Sequence, residues 1–152
     1  MRKLLFGFIF SLMCSAPSLA DWEYRDIYDE MRGSRSYDAL LPSEKKEDVS
    51  GYMFILLSSD DNKIINNAGL ILSEGNFDCK VSTPCSGFIK YENNQVHELT
   101  IHSDSHVAIF DNSDNFLRQL VNINTLFIEL PIEGKGTQQF KFKTSGLKWK
   151  VE

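Results

Sequence analysis

The sequence predicts an all-β fold, an antiparallel β-sandwich with one short α-helix at about residues 114–122. Most apolar runs are short, which is typical of strands rather than of helices. Gly, Asn, Asp and Ser separate these runs at intervals of about ten residues, as they do in sandwiches and barrels. Only one segment replaces this alternation with the spacing of an amphipathic helix.

The first strands are predicted from two apolar runs. Residues 52–57 form one run, which ends at the polar segment 58–62, and residues 68–73 form the next, which ends at 74–76. Both runs have strand length and are bounded by residues that favour turns.

The following segments alternate between apolar and polar residues. Residues 87–91 and 96–101 are predicted as strands, and in the second of them Leu99 and Ile101 share a face with His97. Such alternation indicates strands with one buried face.

Residues 106–110 and 126–130 are further candidate strands. The last is 138–143, where Phe140 and Phe142 alternate with polar residues in a half-buried pattern.

The helix is predicted from a polar start and an apolar stripe. Residues 111–114 offer side chains that cap helix N-termini. The apolar stripe consists of Phe116, Leu117, Leu120 and Val121. Their spacing places all four on one side of a helix.

Residues 1–20 have the layout of a secretory signal peptide. Arg2 and Lys3 precede an apolar run at 4–14, and Ser18-Leu19-Ala20 supplies small residues at positions −3 and −1. Cleavage after Ala20 is therefore expected. The apolar run is too short to cross a bilayer, which takes about 20 residues. Lipoprotein processing at Cys14 is the alternative, and it is disfavoured because bulky Met13 precedes that cysteine.

The expected mature chain, residues 21–152, has the length of a single β-sandwich domain. It carries 14 basic and 21 acidic residues, a formal charge of −7. This balance argues against nucleic acid and against anionic lipid as partners. No later segment is long and apolar enough to predict a transmembrane span. The expected signal peptide predicts a periplasmic or secreted location.

Two cysteines remain in that mature chain, Cys79 and Cys85. An even count in an exported protein favours a disulfide. Zinc is disfavoured because there is no second cysteine pair, and thiol redox chemistry is disfavoured because the spacing exceeds C-x-x-C. The pair is predicted to be a structural staple across a tight turn or hairpin.

Three histidines, His97, His102 and His106, are weak candidates for a metal site. His102 and His106 share one predicted loop with Asp104. His97 and His102 would point to opposite faces of a continuous strand, so a metal is not predicted.

No catalytic motif occurs in the sequence. It contains no G-x-S-x-G, no G-x-G-x-x-G and no Walker motif, and no cofactor is predicted. Trp22, Tyr24 and Tyr28 have two interpretations: a binding surface, or an edge strand that packs on the core.

A set of positions along the chain matches a known pattern. It consists of Trp22, Asp29, Met31, Ala39, Ser43, Cys79, Cys85, residues 88–91, Asp104, Ser105, Phe110, Phe116, Leu117, Leu120, Leu126, Ile128, Glu129, Pro131, Phe140, Phe142, Gly146, Leu147 and Trp149. In layout the chain resembles small exported bacterial domains, similar to the type VI secretion-associated TagO/VasI-like proteins. It lacks the C-terminal cysteine of that type. The resemblance implies a β-sandwich accessory domain without known catalytic residues.

The sequence therefore predicts a non-enzymatic periplasmic accessory protein that binds another protein, in connection with a secretion apparatus. One alternative is an inhibitor or immunity protein against a cell-wall hydrolase or toxin, since an acidic chain is steered towards a basic partner. Another is a metal or small-ligand binding protein. The sequence names neither the partner nor the oligomeric state.

Overall fold

The computed structural model describes residues 22–45, 51–59, 64–65, 67–80, 83–92 and 95–151. Within these ranges it contains eleven strands and one helix. The strands before the cysteine pair are β1 (Glu23–Asp29), β2 (Ser34–Pro42), β3 (Met53–Ser59), β4 (Ile64–Ile65) and β5 (Asn67–Leu72). The later elements are β6 (Cys85–Tyr91), β7 (Val96–Asp104), β8 (Val107–Phe110), α1 (Ser113–Leu120), β9 (Thr125–Ile132), β10 (Gly136–Lys143) and β11 (Lys150–Val151).

Nine strands form one antiparallel sheet in the order β1-β2-β3-β5-β8-β7-β6-β9-β10. Strands β4 and β11 form a separate parallel pair. Hairpins account for the pairs β1–β2, β6–β7, β7–β8 and β9–β10. The pairs β5–β8 and β6–β9 instead join strands that are distant in the sequence, and they make the sheet continuous.

The sheet folds over a single core. Buried side chains from strands near one edge, such as Leu41 and Ile55, belong to the same cluster as Ile128 and Phe142 near the other edge. A long twisted sheet curls in this way because bringing its inner faces together removes apolar surface from water. The fold is therefore all-β and sandwich-like, as the sequence predicts.

Polar contacts hold the two ends of the sheet together. The Trp22 indole Nε1 donates to the carbonyl oxygen of Thr144 at 3.2 Å. The Glu44 amide donates to the carbonyl oxygen of Lys141 at 2.7 Å. The Glu44 carboxylate also pairs with Lys141 at 2.9 Å and Lys143 at 3.3 Å. The side-chain hydrogen bond from Lys141 is the main reason why the pKa of Glu44 lies below its usual value.

Helix α1 confirms the predicted helix with slightly different limits. Asn112 is its N-cap and accepts a hydrogen bond from the Asn115 amide at 3.1 Å. Phe116, Leu117 and Leu120 are buried, and Phe116 stacks on Phe110 with ring centroids 4.0 Å apart. These three side chains attach the helix to the inner face of the sheet. Val121, the fourth residue of the predicted apolar stripe, is instead the C-cap and is 42% exposed.

The predicted strands correspond to β3 and β5 to β10. A further local prediction was wrong: residues 102–106 are not one loop. Strand β7 continues through His102 to Asp104, where Val107 faces Asp104 across a two-residue turn of Ser105 and His106. Ser103 is buried in this extension, so the strand keeps its inward face to the end.

Residues 1–20 lie outside the described residues, and so do the expected cleavage after Ala20 and Cys14. Among the residues that the structure describes, no helix is long and apolar enough to cross a membrane.

Candidate functional site

The β1–β2 hairpin extends beyond the rest of the sheet. Strand β3 pairs with β2 only from Tyr37 to Pro42. The distal residues of the hairpin pair with each other, Ile27 with Ser36 and Asp29 with Ser34. We name residues 25–36 the arm, and every one of them is exposed except Asp29 and Ser36, which are partly buried.

The Asp29 side chain shapes the tip of the arm. Its Oδ1 accepts hydrogen bonds from the amides of Met31 at 3.0 Å and Arg32 at 3.1 Å. The Gly33 amide donates to the Asp29 carbonyl oxygen at 2.7 Å, and Gly33 has a φ of +64°, which glycine adopts at little cost. These bonds give the loop one defined turn.

The charges of the arm are largely paired within the hairpin. Arg32 Nη1 bonds Asp29 Oδ2 at 2.8 Å, and this side-chain bond is the main reason why the pKa of Asp29 lies below its usual value. Arg35 lies 3.6 Å from Asp26. Arg25 bonds Glu23 of the same strand at 2.8 Å. The arm therefore presents little net charge.

Large apolar side chains of the arm face solvent. Ile27 is 44% exposed, Tyr28 is 56% exposed and Met31 at the tip is 86% exposed. The guanidinium of Arg35, the cross-strand neighbour of Tyr28, lies 5.7 Å from the centre of the Tyr28 ring. The arm thus exposes apolar surface that no described part of the chain covers.

The three aromatic residues considered from the sequence do not form one surface. Trp22 belongs to the core. Tyr24 is partly buried: its hydroxyl accepts from the Lys148 amide at 2.9 Å, and its ring lies 5.4 Å from that of Trp149. Only Tyr28 is exposed, and a binding role for it stays a prediction.

Sequence reasoning missed the contact of Arg35 with Tyr28 and the exposure of Ile27 and Met31 on the same hairpin. One signal was present, because residues 23–36 lack the regular apolar alternation of a strand with a buried face. That the hairpin extends past β3 became visible only in the sheet.

The histidines lie apart. His97 and His102 are on opposite faces of β7, and His102 Nε2 lies 3.2 Å from Asp111 Oδ1. His106 is in the β7–β8 turn. In the described part of the chain, no three His, Cys, Asp or Glu side chains are grouped so that they could hold a metal ion.

Cys79 and Cys85 form a disulfide, with Cα atoms 5.4 Å apart. Cys85 is buried at the start of β6, and Cys79 packs against the core from the preceding loop. Phe77, two residues earlier, bridges Ile132 of β9. The staple therefore joins a core-anchored loop to the first residue of β6. It encloses a turn in which the Thr83 amide donates to the Lys80 carbonyl oxygen at 3.0 Å, so of the two predicted forms it crosses a tight turn and not a hairpin.

In comparisons with known proteins, no family model matches the chain, and no curated protein or solved structure matches it significantly.

Proposed function

We propose that this chain is a non-enzymatic protein, exported to the periplasm or secreted, that acts by binding another protein through the arm. The observation that carries the proposal is an ordered hairpin that projects from the sheet with Ile27, Tyr28 and Met31 exposed. Exposed apolar side chains grouped on one feature are typical of interaction sites.

The composition of the arm supports this role. Tyr, Met and Arg are enriched in protein interfaces, and Tyr and Arg are frequent among residues that dominate binding energy. The Asp29 turn and the ion pairs already order the hairpin in the free protein. A pre-ordered element loses less conformational entropy on binding than a flexible loop does.

The chemistry of the arm indicates the kind of surface it would contact. Its charges are paired internally, so the partner would offer an apolar depression for Met31 and Tyr28 with a polar rim near Arg35. The resemblance to secretion-associated domains favours an accessory role in a secretion apparatus. The disulfide fits an oxidising compartment outside the cytoplasm.

A second candidate function is inhibition of a basic cell-wall hydrolase or toxin. The formal charge of −7 for residues 21–152 favours it, because opposite charge accelerates encounter. The two candidates differ in salt dependence: binding driven by net charge weakens strongly with salt, whereas binding through a charge-paired apolar arm changes little.

Site-specific photo-crosslinking tests the proposal. A photoreactive amino acid would replace Tyr28 or, as the control, Ile109, which lies on β8 and is 58% exposed. Residues 21–152 carrying either probe would be irradiated in periplasmic extract, and adducts would be identified by mass spectrometry. A discrete adduct from position 28, reproduced with the purified partner and absent from position 109, is expected.

The same probe in an Ile27→Ser/Met31→Ser background supplies the decisive comparison. Loss of the adduct is expected, since these substitutions remove the other large exposed apolar side chains of the arm while the core stays intact. An undiminished adduct, or equal adducts from positions 28 and 109, would contradict binding through the arm. An adduct lost in 0.5 M NaCl would shift support to the charge-steered inhibitor.

A further inference from the structure

A polar groove lies between β7 and α1. In the sheet, four strands separate β7 from β1, so the groove is distant from the arm in strand order. Residues of β7 such as His97 and Leu99 form one wall, and Asn115 and Gln119 of α1 form the other. Tyr91 at the end of β6 lines the same groove. Its volume of about 420 Å³ lies within the range of natural small-ligand sites.

The lining is rich in uncharged groups that both donate and accept hydrogen bonds. They are the hydroxyl of Tyr91 and the amides of Asn115 and Gln119; Asn112 adds an amide whose oxygen already caps α1. No Lys or Arg is among the described residues that line the groove, whereas Glu98 and Asp111 are. An anionic ligand would therefore meet negative charge without a compensating cation.

Tyr91 is the most informative of these residues. Its side chain is only 7% exposed, and its hydroxyl makes no hydrogen bond within the described part of the chain. Among the described residues, no side-chain oxygen is fully buried without a partner, so this hydroxyl reaches the groove surface. Burial raises the pKa of Tyr91 to about 12, so it remains a neutral phenol that can donate and accept.

Both walls beside Tyr91 also have hydrogen-bonding groups that are not engaged within the described residues. Among those residues, the side chains of His97 on β7 and Gln119 on α1 form no hydrogen bonds with the rest of the protein. Asp111 is already engaged with His102. Tyr91 of β6, His97 of β7 and Gln119 of α1 line the same groove.

We propose that this groove binds a neutral saccharide. Sugar hydroxyls each donate and accept, so they match a lining of amides and hydroxyls better than a purely apolar or an anionic ligand does. The proposal is independent of the arm, and its failure would leave the proposed protein-binding function untouched.

Ligand-observed NMR with the purified, disulfide-intact protein tests this inference. The probes are glucose, galactose, N-acetylglucosamine and the α-1,4- and β-1,4-linked disaccharides of glucose and N-acetylglucosamine, each at millimolar concentration. Saturation transfer to at least one neutral probe is expected, with at least tenfold weaker binding of glucuronate. No transfer to any neutral probe, or preference for glucuronate or for the polyamine spermidine, would overturn the proposal.

Two variants tie binding to the groove. Tyr91→Phe removes only the hydroxyl, and Gln119→Ala removes the amide of the opposite, exposed wall. Each should weaken binding at least fivefold, while Tyr52→Phe, on a tyrosine outside the groove, should not. Thermal melting would verify that the variants are folded. Unchanged affinity in both groove variants would overturn the assignment.

Discussion

Two antiparallel hairpins of the same sheet, β1–β2 and β9–β10, differ in what their side chains contact. In β9 every second residue is buried, including Leu126 and Ile128, and β10 adds Phe140 and Phe142 to the same core. In β1 no residue is buried, although Ile27 and Tyr28 are large and apolar. Both hairpins have regular cross-strand pairing.

The difference distinguishes apolar residues that stabilise the fold by being buried from apolar residues that stay exposed and add little to stability. Apolar side chains of β9–β10 contribute to stability by leaving water. Those of the arm gain nothing of this kind in the isolated protein, since they remain exposed. Their exposure is the observation on which the proposed binding function of the arm rests.

The largest expected effect comes from Phe142→Ala. Phe142 is completely buried, so its truncation should lower the free energy of unfolding by about 3–5 kcal/mol, through lost transfer energy and a cavity. Tyr28→Ala in the arm should change it by less than about 0.5 kcal/mol. Urea denaturation followed by tryptophan fluorescence measures both. A comparable loss in Tyr28→Ala would show that the arm is part of the core.

Removal of the disulfide is expected to have the next largest effect on the free energy of unfolding. Cys79→Ser/Cys85→Ser should lower the free energy of unfolding by about 2–3 kcal/mol, because a short closed loop restricts the unfolded chain modestly. Wild-type protein under reducing conditions is the matched control and should lose a similar amount. Equal stability of oxidised and reduced wild type would contradict a stabilising staple.

Gly87→Ala tests the close packing of β6 against β9. A Cβ atom at Gly87 would lie 2.3 Å from the carbonyl oxygen of Glu129 and 2.5 Å from Cδ2 of Leu130. The strands would have to separate, which should cost about 1–3 kcal/mol of unfolding free energy. Ser86→Ala, at the exposed neighbouring position, should be nearly neutral. A neutral Gly87→Ala would mean that the β6–β9 approach is not tight.

The smallest effect on global stability is expected from Asp29→Ala in the arm. The tip should loosen, because the amides of Met31 and Arg32 lose their acceptor, while the midpoint of unfolding should not change measurably. Hydrogen exchange at these two amides is the measurement. Exchange should be faster in Asp29→Ala than in wild type or in the control variant Asp38→Ala. Unchanged exchange would show that the turn does not depend on Asp29.

The same turn should respond to pH in a defined direction. Since Arg32 lowers the pKa of Asp29 in the folded protein, the ionised carboxylate stabilises the turn above the unfolded value of 3.8. This contribution is lost as pH falls through the lower, folded-state pKa. Amide NMR shifts of Met31 and Arg32 should titrate below pH 3.8, and a midpoint at or above that value would contradict the Arg32 contact.

Sequence patterns predicted the parts of the fold that depend on local periodicity. The alternating Phe140 and Phe142 and the helical spacing of Phe116 and Leu120 each report which side of an element leaves water. The candidate sites were less predictable. Tyr28 was singled out for its type alone, and Tyr91 and Gln119 carry no local signal that places them on one groove.

By itself, the sequence determined the all-β class, the short helix and the pairing of two cysteines that are six residues apart, because each depends on residues close together in the chain. Tertiary structure decided the sheet order, the reach of the arm past β3 and the position of Tyr91 and α1 along one groove. These features follow from which distant strands pair, as β5 does with β8 and β6 with β9. Which strands pair depends on how well the whole core is buried, and each strand supplies only part of the buried apolar surface.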